Sequence, residues 1–252
     1  MKTNEFKSIT TSYICASSKG GVGKSSIAML GAIILPSTKI VDDNGEQTGK
    51  KPNVLIDTDP QGTSLLISQN RNERKLAVPR CVAANIGGIA PTIEKHVADK
   101  TRHIVIDSPP NVENERIRLE SLRNPHVDMC IIPCMMGDDD LEGAINTAKT
   151  CVKYGVPFIT LMTRAKLSNF LDHQMATLKE DTEALGGALC PHIIYDRITW
   201  YEARNAFLTV TEYAPKSKAA AEALAVWKWI YGYTEQMKKD NAKAKKGVTA
   251  NG

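Results

Sequence analysis

Several short runs along the chain are apolar at nearly every position, at 12–16, 53–57, 103–107, 129–133 and 158–162. Strands that carry apolar side chains on both faces belong in the interior of a parallel sheet. Longer stretches with helical spacing lie between or after them, at 24–35, 113–123, 141–154, 169–185 and 217–231. This alternation predicts an α/β fold, a mainly parallel twisted sheet with helices on both faces. A further short strand is expected near 192–195. The helix at 217–231 carries Ala219, Ala220, Ala223, Val226, Trp227, Trp229 and Ile230. It is apolar nearly all round, which predicts packing into the body of the protein. The polar segment 36–52, with its prolines and glycines, reads as an elaborated loop between the first helix and the second strand.

The length of 252 residues suits one large domain, expected over 1–237. No apolar run is long enough to span a membrane, and residues 1–11 lack the apolar core of a secretion signal, so a cytoplasmic protein is expected. None of the six cysteines stands in a Cys-x-x-Cys pair, which predicts free buried thiols in a reducing compartment. A net charge of +4 is too small to imply a nucleic-acid partner. Five lysines against one aspartate fall within 238–246. Residues 238–252 therefore read as a basic, flexible tail, either simply solvated or making salt-sensitive contacts with DNA phosphates.

Chemistry concentrates in Lys19-Gly20-Gly21-Val22-Gly23-Lys24-Ser25-Ser26, after an apolar strand and at the start of a helix. Glycines let the backbone curl so that several N–H groups face one anion, and the helix adds its positive end. Lys24 would neutralise the β- and γ-phosphates of a nucleotide, and the Ser25 hydroxyl would ligate Mg²⁺. Ser18 stands where the strict pattern has its first glycine; a small hydroxyl residue fits there if φ is negative. The lysine before Gly-Gly makes the loop resemble the deviant Walker A box of the ParA/MinD superfamily, closest to ParA-type partition proteins. That resemblance implies a P-loop NTPase with ATP and Mg²⁺ as cofactors. It also implies a nucleotide-sandwich homodimer in which Lys19 reaches the partner's phosphates.

Two apolar strands end in carboxylates. The run Asp57-Thr58-Asp59-Pro60-Gln61 is similar to switch I of ParA proteins, which assigns Asp59 to the attacking water and the magnesium shell with Asp57 in support. Asp107, before Ser108-Pro109-Pro110, has the physical form of a Walker B aspartate that holds Mg²⁺ directly or through water. Thr163 and Arg164 resemble the place where the family contacts adenine. The layout of 194–222 resembles the family's C-terminal portion, with Asp196-Arg197 at a strand end and Ala214-Pro215-Lys216-Ser217 opening the last helix. The acidic run from Gly137 to Gly143 lacks the spacing of an EF-hand, so Asp140 is expected as a helix cap, near the family's dimer interface.

Trp200 and Tyr201 near Arg197 and Arg204 read as packing or as a nucleic-acid surface. Arg197, Arg204, Lys216, Lys218 and Lys228 are the DNA-phosphate candidates, and with no base-reading motif the DNA binding would be non-specific. The expected function is an ATP-hydrolysing dimerisation switch for plasmid or chromosome partition or cargo positioning. It would be nucleoid-associated when ATP-bound and stimulated by a centromere-binding-type adaptor. The alternatives are a MinD-like membrane regulator, which the apolar-poor tail disfavours, and a metabolic ATP-dependent ligase on the same fold.

Overall fold

The computed structural model describes residues 10–41, 47–76, 79–110 and 115–249, and of 38–41, 47–51 and 245–249 the backbone only. In chain order the first elements are β1 (Thr11–Cys15), α1 (Lys24–Ile34), β2 (Thr38–Val41), β3 (Gln47–Lys51), β4 (Val54–Asp57) and α2 (Thr63–Glu73). They are followed by β5 (Arg80–Ala83), α3 (Ile89–Ala98), β6 (His103–Asp107), α4 (Glu115–Arg123), β7 (Met129–Cys134) and α5 (Asp138–Tyr154). The last are β8 (Phe158–Met162), α6 (Leu171–Ala184), β9 (Ala188–Leu189), α7 (Ile198–Asn205), α8 (Val210–Tyr213) and α9 (Lys218–Thr249).

Seven strands form one sheet in the order β5-β4-β6-β1-β7-β8-β9, and every pairing is parallel. The apolar runs read from sequence are its interior strands. Side chains alternate between two cores, as period-2 geometry requires. Tyr13, Cys15, Leu55, Val105 and Ile131 pack towards α1 and α9. Ile14, Ile56, Ile104, Ile106 and Cys130 face the opposite core, together with residues of α3 to α6. On the first face the indole of Trp227 lies directly on Gly31 of α1 and donates from Nε1 to the Ile27 carbonyl at 3.1 Å. A Cβ at Gly31 would stand 2.1 Å from the ring, so only glycine admits this approach.

The structure departs from the sequence reading at several elements. The 36–52 segment contains the antiparallel pair β2–β3, Thr38 opposite Lys51, with 42–46 outside the described residues. The strand expected near 192–195 is reduced to a single bridge between Tyr195 and Ala165, and β9 lies earlier. Pro191, without an N–H, interrupts the edge between them. The helix expected from 113 is described from Glu115, residues 113–114 lying outside the described residues. The acidic run does not use Asp140 as its cap. Gly137 is the N-cap and Asp138, Asp139 and Asp140 occupy the first turn, where negative charge favours the helix dipole.

In its described part the basic segment from 238 is helical. It continues α9 as far as Thr249, making a helix of 32 residues and about 48 Å. Alanines and lysines are good helix formers, and extending an existing helix carries no nucleation cost. Lys238 is anchored 3.3 Å from the Asp128 carboxylate and donates to the Thr10 carbonyl at 3.0 Å.

Candidate nucleotide site

The β1–α1 loop rises from the carboxyl edge of the central strand, where ligands bind in open parallel sheets. Gly21 and Gly23 take φ of 75° and 94°, the left-handed region that glycine enters without steric cost. Ser18 is not among the residues with positive φ, which is why a hydroxyl residue is tolerated at that point. Its Oγ donates to the Gly143 carbonyl of α5 at 3.3 Å. Lys19 lies half-buried along the same helix: a Cβ at Gly143 would stand 3.1 Å from the lysine's Cγ and 3.3 Å from its Cε.

The two lysines of the loop therefore occupy different places. Lys24 is only 6% exposed and donates from Nζ to the Lys19 carbonyl at 2.7 Å, spanning the loop from inside. Burial lowers its pKa to about 8, against the pull of Asp107 and Asp59. An anion delivered to the loop would restore the ordinary preference for the charged form.

Register brings the carboxylates together. Asp57 and Asp107 are direct partners in the β4–β6 ladder, and Cys15 of β1 pairs with Asp107 on its other side. Asp107 is fully buried; Ser64 Oγ donates to its Oδ2 at 2.7 Å, while Oδ1 has no hydrogen-bond partner. Burial pushes its pKa up to about 7, although the Ser64 and Ser25 hydroxyls oppose this. A buried carboxylate with one orphaned oxygen beside a serine hydroxyl fits a hard divalent cation, which would hold it ionised. Among the described residues there is no cluster of three or more His, Cys, Asp or Glu side chains suited to a metal.

Asp57 supports rather than reaches out. Its carboxylate accepts from the Asp59 and Leu65 N–H groups at 3.1 and 2.8 Å, fixing the turn into α2. Asp59 lines the cavity beside Lys24, Ser25 and Ser26, and its Oδ1 accepts from Gln61 N at 2.9 Å. The cavity, about 270 Å³, runs from the glycine loop to a wall built by α2, α7 and α8.

The expected base contacts divide. Thr163 is buried and its hydroxyl lies 2.9 Å from the Val22 carbonyl and 3.2 Å from that of Cys134, so it is a strut beneath the phosphate loop. Arg164 lines the cavity, with Nη1 donating to the Gly21 carbonyl at 3.1 Å and Nη2 donating to the Tyr201 hydroxyl. Of the DNA candidates, Arg197 is engaged with Glu222 at 2.5 Å, and Arg204 lines the nucleotide cavity. Lys216, Lys218 and Lys228 are exposed.

Sequence reading missed Ser64, which orients Asp107, and took Trp200 for packing or a nucleic-acid surface, whereas it lines the cavity. It also missed Arg118 on α4, 5% exposed, with Nε and Nη1 lacking any hydrogen-bond partner. None of these carries a local motif. Their roles arise from the topology.

No family model matches the sequence, and no curated protein matches it. Solved structures do. Apo McdA from Cyanothece is similar at 15% identity and a TM-score of 0.63, over 87% of this chain and 98% of that one. The MinD cell division protein of Aquifex aeolicus is similar at 15% identity and a TM-score of 0.64, over 88% and 98%. A Borrelia burgdorferi plasmid partition protein bound to AMPPNP is similar at 16% identity and a TM-score of 0.59, over 86% and 98%. The chain thus has the α/β P-loop fold of the MinD, McdA and plasmid-partition ATPases.

Proposed function

We propose that the chain is a Mg-ATP-hydrolysing dimerisation switch that positions DNA or another cargo. The observation that carries this reading is the separation of the two loop lysines. Lys24 is buried within the phosphate cradle, while Lys19 lies at its lip along α5. A lysine at the lip is available to a nucleotide held by a second copy. Lys24 and the loop N–H groups would hold the phosphates, and Ser25 and Asp107 would hold Mg²⁺, which neutralises developing charge on the phosphoryl oxygens. Asp59 would orient the attacking water, a task of positioning more than of covalent chemistry. Asp57 keeps the turn that presents it. Closure of the dimer by the γ-phosphate is the bistable element.

For DNA, the engagement of Arg197 with Glu222 narrows the basic surface to Arg204, Lys216, Lys218 and Lys228, with Lys239 and Lys243 further along α9. Phosphate contacts from scattered lysines give sequence-independent, salt-sensitive binding. A membrane reading finds no apolar face on residues 239–244, and among the described residues no helix is long and apolar enough to cross a bilayer. The test is binding to random-sequence duplex DNA in Mg-ATP, in Mg-ADP and without nucleotide, across a salt series. Tight, salt-sensitive binding with ATP alone is the expected result. ATP turnover without DNA binding in any state would transfer the switch to a protein cargo.

A further inference from the structure

The far wall of the cavity is held by an ion pair, buried at its arginine, that the phosphate chemistry does not use. Arg71 of α2 is 0% exposed and meets Glu212 of α8 in a two-pronged contact, Nη1 to Oε2 at 2.9 Å and Nη2 to Oε1 at 2.6 Å. The same Nη1 donates to the Phe207 carbonyl at 2.9 Å. Glu212 also accepts from the Thr209 N–H at 2.9 Å and its hydroxyl at 2.8 Å, the reciprocal cap that opens α8. One turn along α2, Arg74 donates to the Ala206 carbonyl at 2.9 Å and its guanidinium lies 5.0 Å from the Phe207 ring centre.

What this bracket holds is strained. α7 ends with Phe207 N–H on the Arg204 carbonyl and Leu208 N–H on the Ala203 carbonyl, a Schellman pattern. The left-handed residue of that motif is usually glycine, yet here it is Phe207 at φ 58°. A bulky residue in that region persists only where its surroundings over-determine it. Phe207, Leu208, Thr209 and Val210 line the cavity with Ile67 and Trp200, at an apolar end suited to a planar ring. The other end of the cavity is the glycine loop.

We propose that Arg71 and Glu212 are positioning residues for the nucleobase, welding α2 to the α7–α8 turn and thereby setting the shape of the apolar end of the cavity. The inference rests on the nucleotide reading above and adds to it the element that selects the base. Because α2 begins at the turn carrying Asp59, the same weld relates the base wall to the carboxylate turn at a fixed spacing.

The experiment compares binding of Mg-ATP, Mg-GTP and inorganic triphosphate with magnesium, by calorimetry, in the wild-type chain and in Arg71→Met. Triphosphate reports the glycine loop alone. The expected result is ATP affinity lowered about tenfold or more, equivalent to about 1.4 kcal/mol, an altered ATP-to-GTP ratio, and triphosphate affinity unchanged within about twofold. Should Arg71→Met not fold, Glu212→Gln keeps the shape while removing the charge, and its expected loss for ATP is several-fold with triphosphate again unchanged. Equal losses for ATP and triphosphate, or no loss for either, would overturn the positioning role. Failure of the wild type to bind triphosphate or ATP would instead overturn the phosphate-loop reading beneath it.

Discussion

At the scale of single residues, burial sets the chemistry. Lys24 sits inside its loop with a depressed pKa, so its ammonium waits for an anion. Replacing it with alanine is expected to weaken ATP by on the order of 100-fold, the loss of charge-assisted hydrogen bonds; equilibrium dialysis with labelled ATP measures it, and a loss below about threefold would contradict it. His103 gives a pH prediction at the opposite edge of the sheet. Both of its ring nitrogens lack hydrogen-bond partners, and its ring meets Tyr13 and Tyr231. Burial, with Arg102 and Lys238 adding to it, lowers its pKa to about 3. The folded value lies below the unfolded one of about 6.5, so the stability it contributes is complete above pH 6.5 and is lost as pH falls towards 3. Between pH 7 and pH 5 the loss amounts to about 2 kcal/mol. Urea unfolding at both pH values should show a smaller drop for His103→Phe than for wild type; equal drops would mean that the imidazole is not held neutral.

At the scale of elements, legibility followed pattern strength. β1, β4, β6, β7 and β8 announce themselves because they are apolar on both faces, and α1 because a glycine loop precedes it. α2 was not legible: its Gln69-Asn70-Arg71-Asn72-Glu73 stretch hides the buried face formed by Ser64, Ser68 and Arg71. A buried arginine has no apolar periodicity to betray it. β5 is a short edge strand with exposed ends, and neither its length nor its composition separates it from a loop. The phosphate-side residues were readable because each sits in a local motif, whereas Ser64, Trp200 and Arg71 act through contacts across the chain. The packing of α1 on α9 supplies the prediction at this scale. Gly31→Ala drives a methyl into the Trp227 ring, and overpacking of this kind costs about 1–3 kcal/mol. A lowered urea midpoint with unchanged slope is expected, and unchanged stability would show that α9 shifts freely over α1.

For the whole molecule, the decisive question is what Lys19 does outside its own cradle. If Lys19 acts only across two copies, as proposed, Lys19→Ala is expected to bind ATP within about twofold of wild type, because losing that contact leaves the single chain's site intact. It should fail to self-associate on addition of Mg-ATP, as followed by light scattering. Nucleotide-dependent association in the variant would remove the trans role. The same architecture explains why the cargo was not legible. Lysines exposed on α9 are equally a solvated face or a phosphate-binding one, and no base-reading element commits them.

The placement of the tryptophans has an optical consequence. Trp227 of α9 is 1% exposed and packed against α1, Trp229 stacks on Tyr233 with ring centres 5.1 Å apart, and Trp200 lines the cavity. Only Trp200 is in position to meet an incoming base. Ligand entry would therefore alter the emission of one indole against a background of two fixed ones. The protein carries its own fluorophore at the apolar end of its cavity, and entry of an occupant there could be followed in real time without any attached dye.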